Sequence, residues 1–346
     1  MQQASAMPAD MTLRGRRRRL LMASVPLLVT ATWLRPALAN PRVRQASRTM
    51  MGTRVDMTVD CDDARAAEQA MTAAWREMAR LADMMSRYQP GNPVHALQLS
   101  AGLQPVPVPP EMLSVLQAAQ RVAEQSHGVF DVTIGALAGW RFDPGSVVPD
   151  PAEIARELPL VDYRDLVVDG RRGTAFLRRR GMRIDLGGIA KLPILQAGMS
   201  ALKSHGVESA MINGGGDVLV SGKLLGNDWR IGVRDPLAPD RLVGVLALSD
   251  AVVASSGDYE RCFTVAGRRY HHILDPDTGM PGQGAHGVAL VARRIDDVNG
   301  VGPVIMVAGK ARGQKLLQRQ ADVDALVVGA DGRRWLSAGM AKRLSA

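Results

Sequence analysis

The chain has 346 residues and a formal net charge of +9, a length that holds one large domain or two smaller ones. Six arginines and one aspartate lie in residues 1–39, so the rest of the chain carries only +4. A nucleic-acid-binding surface thereby loses its main support, and no basic patch interleaved with aromatics appears. The two cysteines, Cys61 and Cys262, lack metal-ligand spacing; they stand either as a pair or as two buried free thiols.

The first elements read as an export signal. Arg16 to Arg19 form a basic block, Leu20 to Leu34 is mainly apolar, and Ala37-Leu38-Ala39 is a cleavage pattern. The apolar stretch is broken by Pro26 and bounded by Arg35, which makes it short for a membrane span. An arginine run followed by Leu20-Leu21 fits a twin-arginine leader. No cysteine follows the cleavage point, so a lipoprotein anchor is not expected. Residues 1–39 are therefore expected to be the leader and residues 40–346 a periplasmic domain, touching the membrane only if the leader is kept.

Residues 47–60 alternate around Met51, Val55, Met57 and Val59 as a half-buried strand does. The Met51-Gly52-Thr53 step inside it suggests a bulge or a close approach. Residues 63–86 predict an amphipathic helix with Met71, Trp75, Met78, Leu81 and Met85 on its core stripe. Ser86 to Pro93 reads as a loop, and a second helix spans Glu111 to Ser126, stopped by Gly128. In GVFDVTIGAL, Asp131 and Thr133 interrupt an apolar run as turn or cap residues do. Residues 140–162 read as a surface excursion. A hairpin follows at 165–169 and 174–179 around Gly170 to Gly173.

Residues 185–217 carry the strongest local pattern. Asp185 leads into Gly187-Gly188, a helix is expected from about Ile189, and Gly206 stops it. Glycines before a helix let backbone N–H groups approach an anion, and Lys191 adds a full charge in the first turn. That is a cradle suited to a diphosphate, although many glycine-led helix starts are only tight turns. A strand at Ala210 to Ile212 runs into Gly214 to Gly216 and Asp217. Further strands are expected at 217–221, 229–233, 243–248 and 251–255, and one more after the polar turn Ser255 to Cys262. Tyr270 to Gly282 then packs two histidines, two aspartates and a threonine into one turn-rich stretch. A strand at 287–292 follows, then Asp296-Asp297, helices at 301–308 and 311–318, and closing strands at 324–328 and 334–336.

Four glycine- and aspartate-bearing blocks thus recur in order: MGT, GVFDVT, DLGGIAK with NGGGD, and SGDYER with HHILDPDTG. Together they resemble the ApbE family, the FAD:protein FMN transferases, over roughly residues 48–310. The resemblance implies an α/β (α+β) fold, a mixed sheet flanked by helices with a smaller subdomain near the N-terminus. It implies Mg2+-dependent cleavage of FAD and attachment of FMN through phosphate to a Thr or Ser of an exported or membrane-bound redox partner, with AMP released. It assigns FAD contacts to Met51, Tyr88, Val129, Phe130, Asp131, Asp185, Lys191, His272 and Ile273. The backbone carbonyl of Gly188 becomes a metal ligand. Asp258 is our choice for the base on the acceptor hydroxyl, with His272 as the other catalytic group; Asp275 and Thr278 are expected to fix their own turn.

The chain departs from the family pattern in two places. Leu192, Pro193 and Gln196 replace a glycine, a tyrosine and an aspartate after the Ala-Lys pair. Asn299 and Pro303 stand where the late metal motif has an Asp and a Thr. Asn299 retains only a neutral oxygen, Pro303 has none, and Asp296 or Asp297 either substitutes or merely caps the following helix. Three activities follow from the blocks: an FMN transferase, a flavin-binding protein of the same fold, or an FAD diphosphatase releasing FMN and AMP.

Overall fold

A computed structural model describes residues 40–143, 145–317 and 322–345; the expected leader, residues 1–39, lies outside them, as does Gln318. Eight strands make the main sheet: β1 Val43–Met50, β2 Thr53–Asp60, β3 Ser209–Gly214, β4 Asp217–Ser221, β5 Ala251–Gly257, β6 Ala285–Ala292, β7 Asp324–Gly329 and β8 Arg334–Leu336. They lie side by side in that order. Every neighbouring pair is antiparallel, so the sheet is not mixed as expected. The segments between strands return to the adjacent position in the opposite direction instead of crossing over. The helices are α1 Ala64–Met85, α2 Pro93–Leu99, α3 Pro110–Ser126, α4 Pro151–Glu157, α5 Lys191–Ser204, α6 Val301–Leu317 and α7 Ala338–Arg343.

Strand alternation sorts side chains into two layers. Val55, Met57, Ile212, Leu219, Val252, Leu290 and Val327 face the helices, where Trp75 and Met78 of α1 and Leu195 and Met199 of α5 meet them. Their neighbours Met211, Val218, Val220, Val253, Val291 and Val328 face a second sheet. That sheet pairs Trp229–Asp235, Ala238–Leu248 and Leu344–Ser345. Because both faces are covered, several strands read as unbroken apolar runs. The small sheet of Val106–Pro107, Leu166–Asp169 and Thr174–Leu177 packs into the helix-side core, so the smaller N-terminal unit shares the main core.

Asp63 caps α1 by accepting from the amides of Arg65 and Ala66. Residues 47–60 form two strands, not one. Met51 and Gly52, at φ 54° and 70°, make the two-residue turn between β1 and β2. Such turns need positive φ at both central positions, and a methionine there hides the signal that Asn-Gly would give. The loop expected from Ser86 to Pro93 runs to Asn92, which caps a short helix, α2, that the sequence reading did not place, with Pro93 at its first position. The stretch 140–162 is not purely superficial. Trp140 and Ile154 are buried in a satellite core with Phe142, Phe263 and Tyr270, and Trp140 Nε1 donates to the Gly279 carbonyl. The two late helices merge in α6 but break at Gly309, whose φ 78°, ψ 172° is open to glycine. Cys61 and Cys262 are unpaired and half-buried.

Trp229 joins the two sheets: it is 2% exposed and its Nε1 donates to the Ser221 carbonyl at 3.1 Å. Trp229→Phe removes that donor and leaves a void, so equilibrium urea unfolding should show a loss of about 2–3 kcal/mol.

Candidate active site

One end of the main sheet collects the motifs. The β1–β2 turn at Met51-Gly52 and the β3–β4 turn at Gly215-Gly216 are neighbours there, because Val55 pairs with Gly214. β5 ends at Gly257 opposite Gly287 near the start of β6, so SGDYER reaches the same end. Antiparallel order explains how blocks far apart in sequence meet.

The glycine-led segment is held rigidly before α5. Asp185 accepts from the Gly187 amide at 2.8 Å through one carboxylate oxygen and from Arg87 Nη1 at 2.9 Å through the other. Arg87 also donates to the Gly135 carbonyl at 3.2 Å, and the Asp185 amide donates to the Val132 carbonyl. Gly135 is required here, since a Cβ on it would lie 2.4 Å from the backbone carbon of Ile184. The amides of Ile189 and Ala190 both turn back to the Leu186 carbonyl, which delays the helix to Lys191. No side chain caps α5 at Ala190, so the N–H groups of Lys191 and Leu192 remain for a ligand, Pro193 having none.

Lys191 Nζ lies 2.9 Å from Asp217 Oδ2, and the other oxygen of Asp217 accepts from the Ser255 amide. Asp217 ends a glycine run, and nothing in that run marks it as the partner of Lys191. Arg234, unmarked in the sequence, approaches Glu260 at 3.6 Å and lies 5.9 Å from the centre of the Tyr259 ring. Lys191 acts electrostatically on both Glu260 and His272, so these groups share a neighbourhood.

The other expected FAD contacts fall around this cradle in different states. Tyr88 is 72% exposed, with the Arg87 guanidinium 5.6 Å from its ring centre. Val129 is half-buried and Phe130 buried, with Phe130 Cε2 3.3 Å from where a Cβ on Gly188 would stand. Asp131 is buried and inward-turned: it accepts from the Thr133 amide and hydroxyl and from the Tyr163 amide. Burial pushes its carboxyl up to about 6 despite those bonds. Met51 is half-buried at the hairpin tip.

His272 makes an aromatic edge contact with Phe142, ring centres 6.3 Å apart, and its amide donates to the Arg261 carbonyl. Burial first, then nearby Arg261, holds its imidazole neutral, far below the usual range. Ile273 packs against the main core. Asp275 accepts from the Asp277 amide and the Thr278 hydroxyl, so this pair does fix its own turn.

Asp258 is held from both sides. Its oxygens are taken by Arg269 Nη1 and His286 Nδ1, each at 2.8 Å, in a surface pocket of about 340 Å³ that Thr264 and Leu237 also line. Phe263 and Tyr270, the adjacent cross-strand pair, stack on each other towards Trp140. Successive pairs of a hairpin point to opposite faces. The hairpin therefore separates Asp258 and Arg269 from the aromatic cluster that meets His272.

Gly188, Asn299 and Pro303 do converge. Asn299 Nδ2 donates to the Ile189 carbonyl at 2.9 Å, and Pro303 Cγ lies 3.8 Å from the position of a Cβ on Gly188. Asp297 is half-buried in the single turn Ile295–Asp297, while Asp296 pairs with Arg294. Among the described residues no group of three His, Cys, Asp or Glu side chains is placed to hold a metal ion. Of the oxygens that the resemblance implies for Mg2+, the side-chain oxygen at 303 is missing and Asn299 turns its amide nitrogen, not a carboxylate, towards the Ile189 carbonyl.

A rigid glycine-led segment, an uncapped helix start and paired cations at the end of an antiparallel sheet define an α/β protein built to receive an anionic ligand. Comparison with known proteins narrows this class. The profile of the ApbE family matches residues 51–327, and the chain belongs to that family. It is 33% identical to the FAD:protein FMN transferase of Treponema pallidum over 268 residues, covering 72% of this chain and 74% of that protein. It is 30% identical to one from Klebsiella pneumoniae, covering 84% of this chain and 90% of that protein. Among solved structures, the ApbE protein of Thermotoga maritima superposes with a TM-score of 0.80 at 29% identity, over 88% of this chain and all of that one. The flavin transferase ApbE of Vibrio cholerae gives 0.74 at 25% identity, over 87% and 99%.

The buried carboxyl of Asp131 sets a pH dependence. A folded value of about 6, above the unfolded one, means the fold disfavours ionisation: stability is full below about pH 4 and falls as pH rises to about 6. Asp131→Asn has no such titration. The stability of wild type minus that of the variant should fall by about 2–3 kcal/mol between pH 4 and pH 7 in urea melts.

Proposed function

We propose that this chain is an FAD:protein FMN transferase, acting on a Thr or Ser hydroxyl of an exported or membrane-bound redox protein. The observation that carries the reading is the start of α5: uncapped N–H groups, Lys191 in the first turn and Asp185 locked by Arg87 in the segment before it. That arrangement meets the diphosphate of FAD with fixed donors and positive charge, which is most of what phosphoryl transfer asks of a protein. The acceptor oxygen forms a bond to the phosphorus of FMN, the bond from that phosphorus to the AMP oxygen breaks with the electron pair leaving on AMP, and the hydroxyl proton passes to solvent. Lys191 exchanges Asp217 for the nucleotide phosphate. His272, neutral and packed edge-on to Phe142, is assigned to the FMN phosphate. Asp258, bridging Arg269 and His286, is assigned to positioning on the acceptor side.

Met51, Tyr88, Val129, Phe130 and Ile273 are assigned to the flavin wall, with Tyr88 the exposed edge. Magnesium belongs to the family chemistry; of Gly188, Asn299 and Asp297 only Asp297 carries a charge, and it lies in the turn before α6, two residues from Asn299. The leader supports export to the periplasm, and cleavage after Ala39 in a fractionated host would test that address. The neutral Asn299 favours one second reading, a flavin-binding protein that does not transfer.

The deciding experiment incubates the mature chain with FAD and candidate exported redox subunits, following AMP release and covalent flavin together. Equal yields establish the transferase. AMP alone indicates the diphosphatase, and FAD binding with neither product indicates the carrier. Lys191→Met should weaken FAD binding about tenfold or more and lower any transfer rate about 100-fold, read by flavin fluorescence and by AMP release.

A further inference from the structure

Two oxygens cannot face each other at hydrogen-bond distance in a buried place unless a proton or a cation lies between them. At the junction of α5 and α6 the first oxygen is the Ile189 carbonyl, one residue before the Ala190 cap. The facing side chain is Asn299, 8% exposed, and it presents its amide nitrogen at 2.9 Å. A carboxylate in that place would need an ion to bridge it to the carbonyl; the amide N–H needs none. Pro303 closes the next position, with Cγ near Gly188 and no side-chain oxygen to offer. Asp297, two residues away, is held in its own turn, its amide donating to the Arg294 carbonyl.

We propose that the Asn299 amide takes the place of a cation here, latching the start of α5 to the start of α6, so that the chain keeps its nucleotide cradle assembled with no resident divalent ion. The positive side of the cradle is then wholly protein: Lys191, Arg87 and the α5 amides. A divalent ion reaches the site only as a counter-ion carried by the FAD diphosphate. This rests on the α5–α6 geometry and holds for either the transferase or the flavin-carrier reading.

The test uses the mature full-length chain and Mn2+ as the probe, followed by electron paramagnetic resonance of the free ion. Without nucleotide, the wild type should show no one-equivalent site with a dissociation constant below about 1 mM. Removing divalent ions with EDTA should leave its melting temperature unchanged. Asn299→Asp, alone and with Pro303→Thr, should gain Mn2+ binding about tenfold or more and a melting temperature that EDTA lowers and Mg2+ restores. Should neither carboxylate variant fold, the wild type and Asn299→Ala decide. Tight one-equivalent Mn2+ binding by the wild type that Asn299→Ala abolishes would overturn the proposal. A Mg2+ effect on FAD affinity that survives Asn299→Ala supports it, because the ion then rides on the nucleotide. None of these readouts needs turnover, so a chain that fails to transfer flavin can still keep, or lack, the Asn299 latch.

Discussion

The bond between Arg87 and Asp185 spans 98 positions of sequence and fixes the segment on which everything at the cleft depends. Asp185 is acceptor-only, and its two oxygens are spent on one guanidinium and one backbone amide, Gly187. Arg87, at the foot of α1, in turn grips the Gly135 carbonyl of the turn behind. Three regions of the chain thus share one half-buried charge pair. Charge-assisted bonds of this kind are stronger than neutral ones and directional. They aim the uncapped start of α5 at the cleft and keep its amides from collapsing onto the loop.

The cleft manages its charge by pairing. Arg87 and Lys191 each rest against a carboxylate, Asp185 and Asp217, and Arg234 has Glu260 nearby. An anionic ligand competes with those carboxylates, so affinity reflects the difference between two sets of contacts and not the sum of one. Asn299 follows a different logic. It is neutral, buried and short-ranged, and it contributes geometry where a charged residue would contribute field.

The long amphipathic elements were legible from spacing alone. The stripe Met71, Trp75, Met78, Leu81 and Met85 is the buried face of α1, and Gly206 does end its helix, while α3 is ended by the left-handed His127 just before Gly128. Strand positions agree to within a few residues because both faces of the sheet are apolar. Strand direction was not legible, since it depends on where each long excursion returns. Met51 concealed a turn that asparagine would have announced, and Asn92-Pro93 was a cap signal inside a segment whose composition spoke for a loop. At the site, glycine and aspartate blocks located the cradle, but the partners Arg87, Asp217 and Arg234 were invisible because ordinary residues acquire those roles only through tertiary contact.

Strand order in the main sheet equals chain order, yet β2 and β3 are separated by residues 61–208. Their ladder, with Val55 opposite Gly214, closes a loop that contains α1, α2, α3, α4, the small sheet and α5. Loop closure of that length is entropically unfavourable until the contents have compacted, and contacts of long sequence separation slow folding. The β1–β2 hairpin and the β3–β8 block are local by comparison. The seam where they join is also where the Met51 turn meets the Gly215 turn. The two turns at that end of the sheet therefore meet only when the ladder closes, around a loop that already holds Arg87, Asp185 and Lys191.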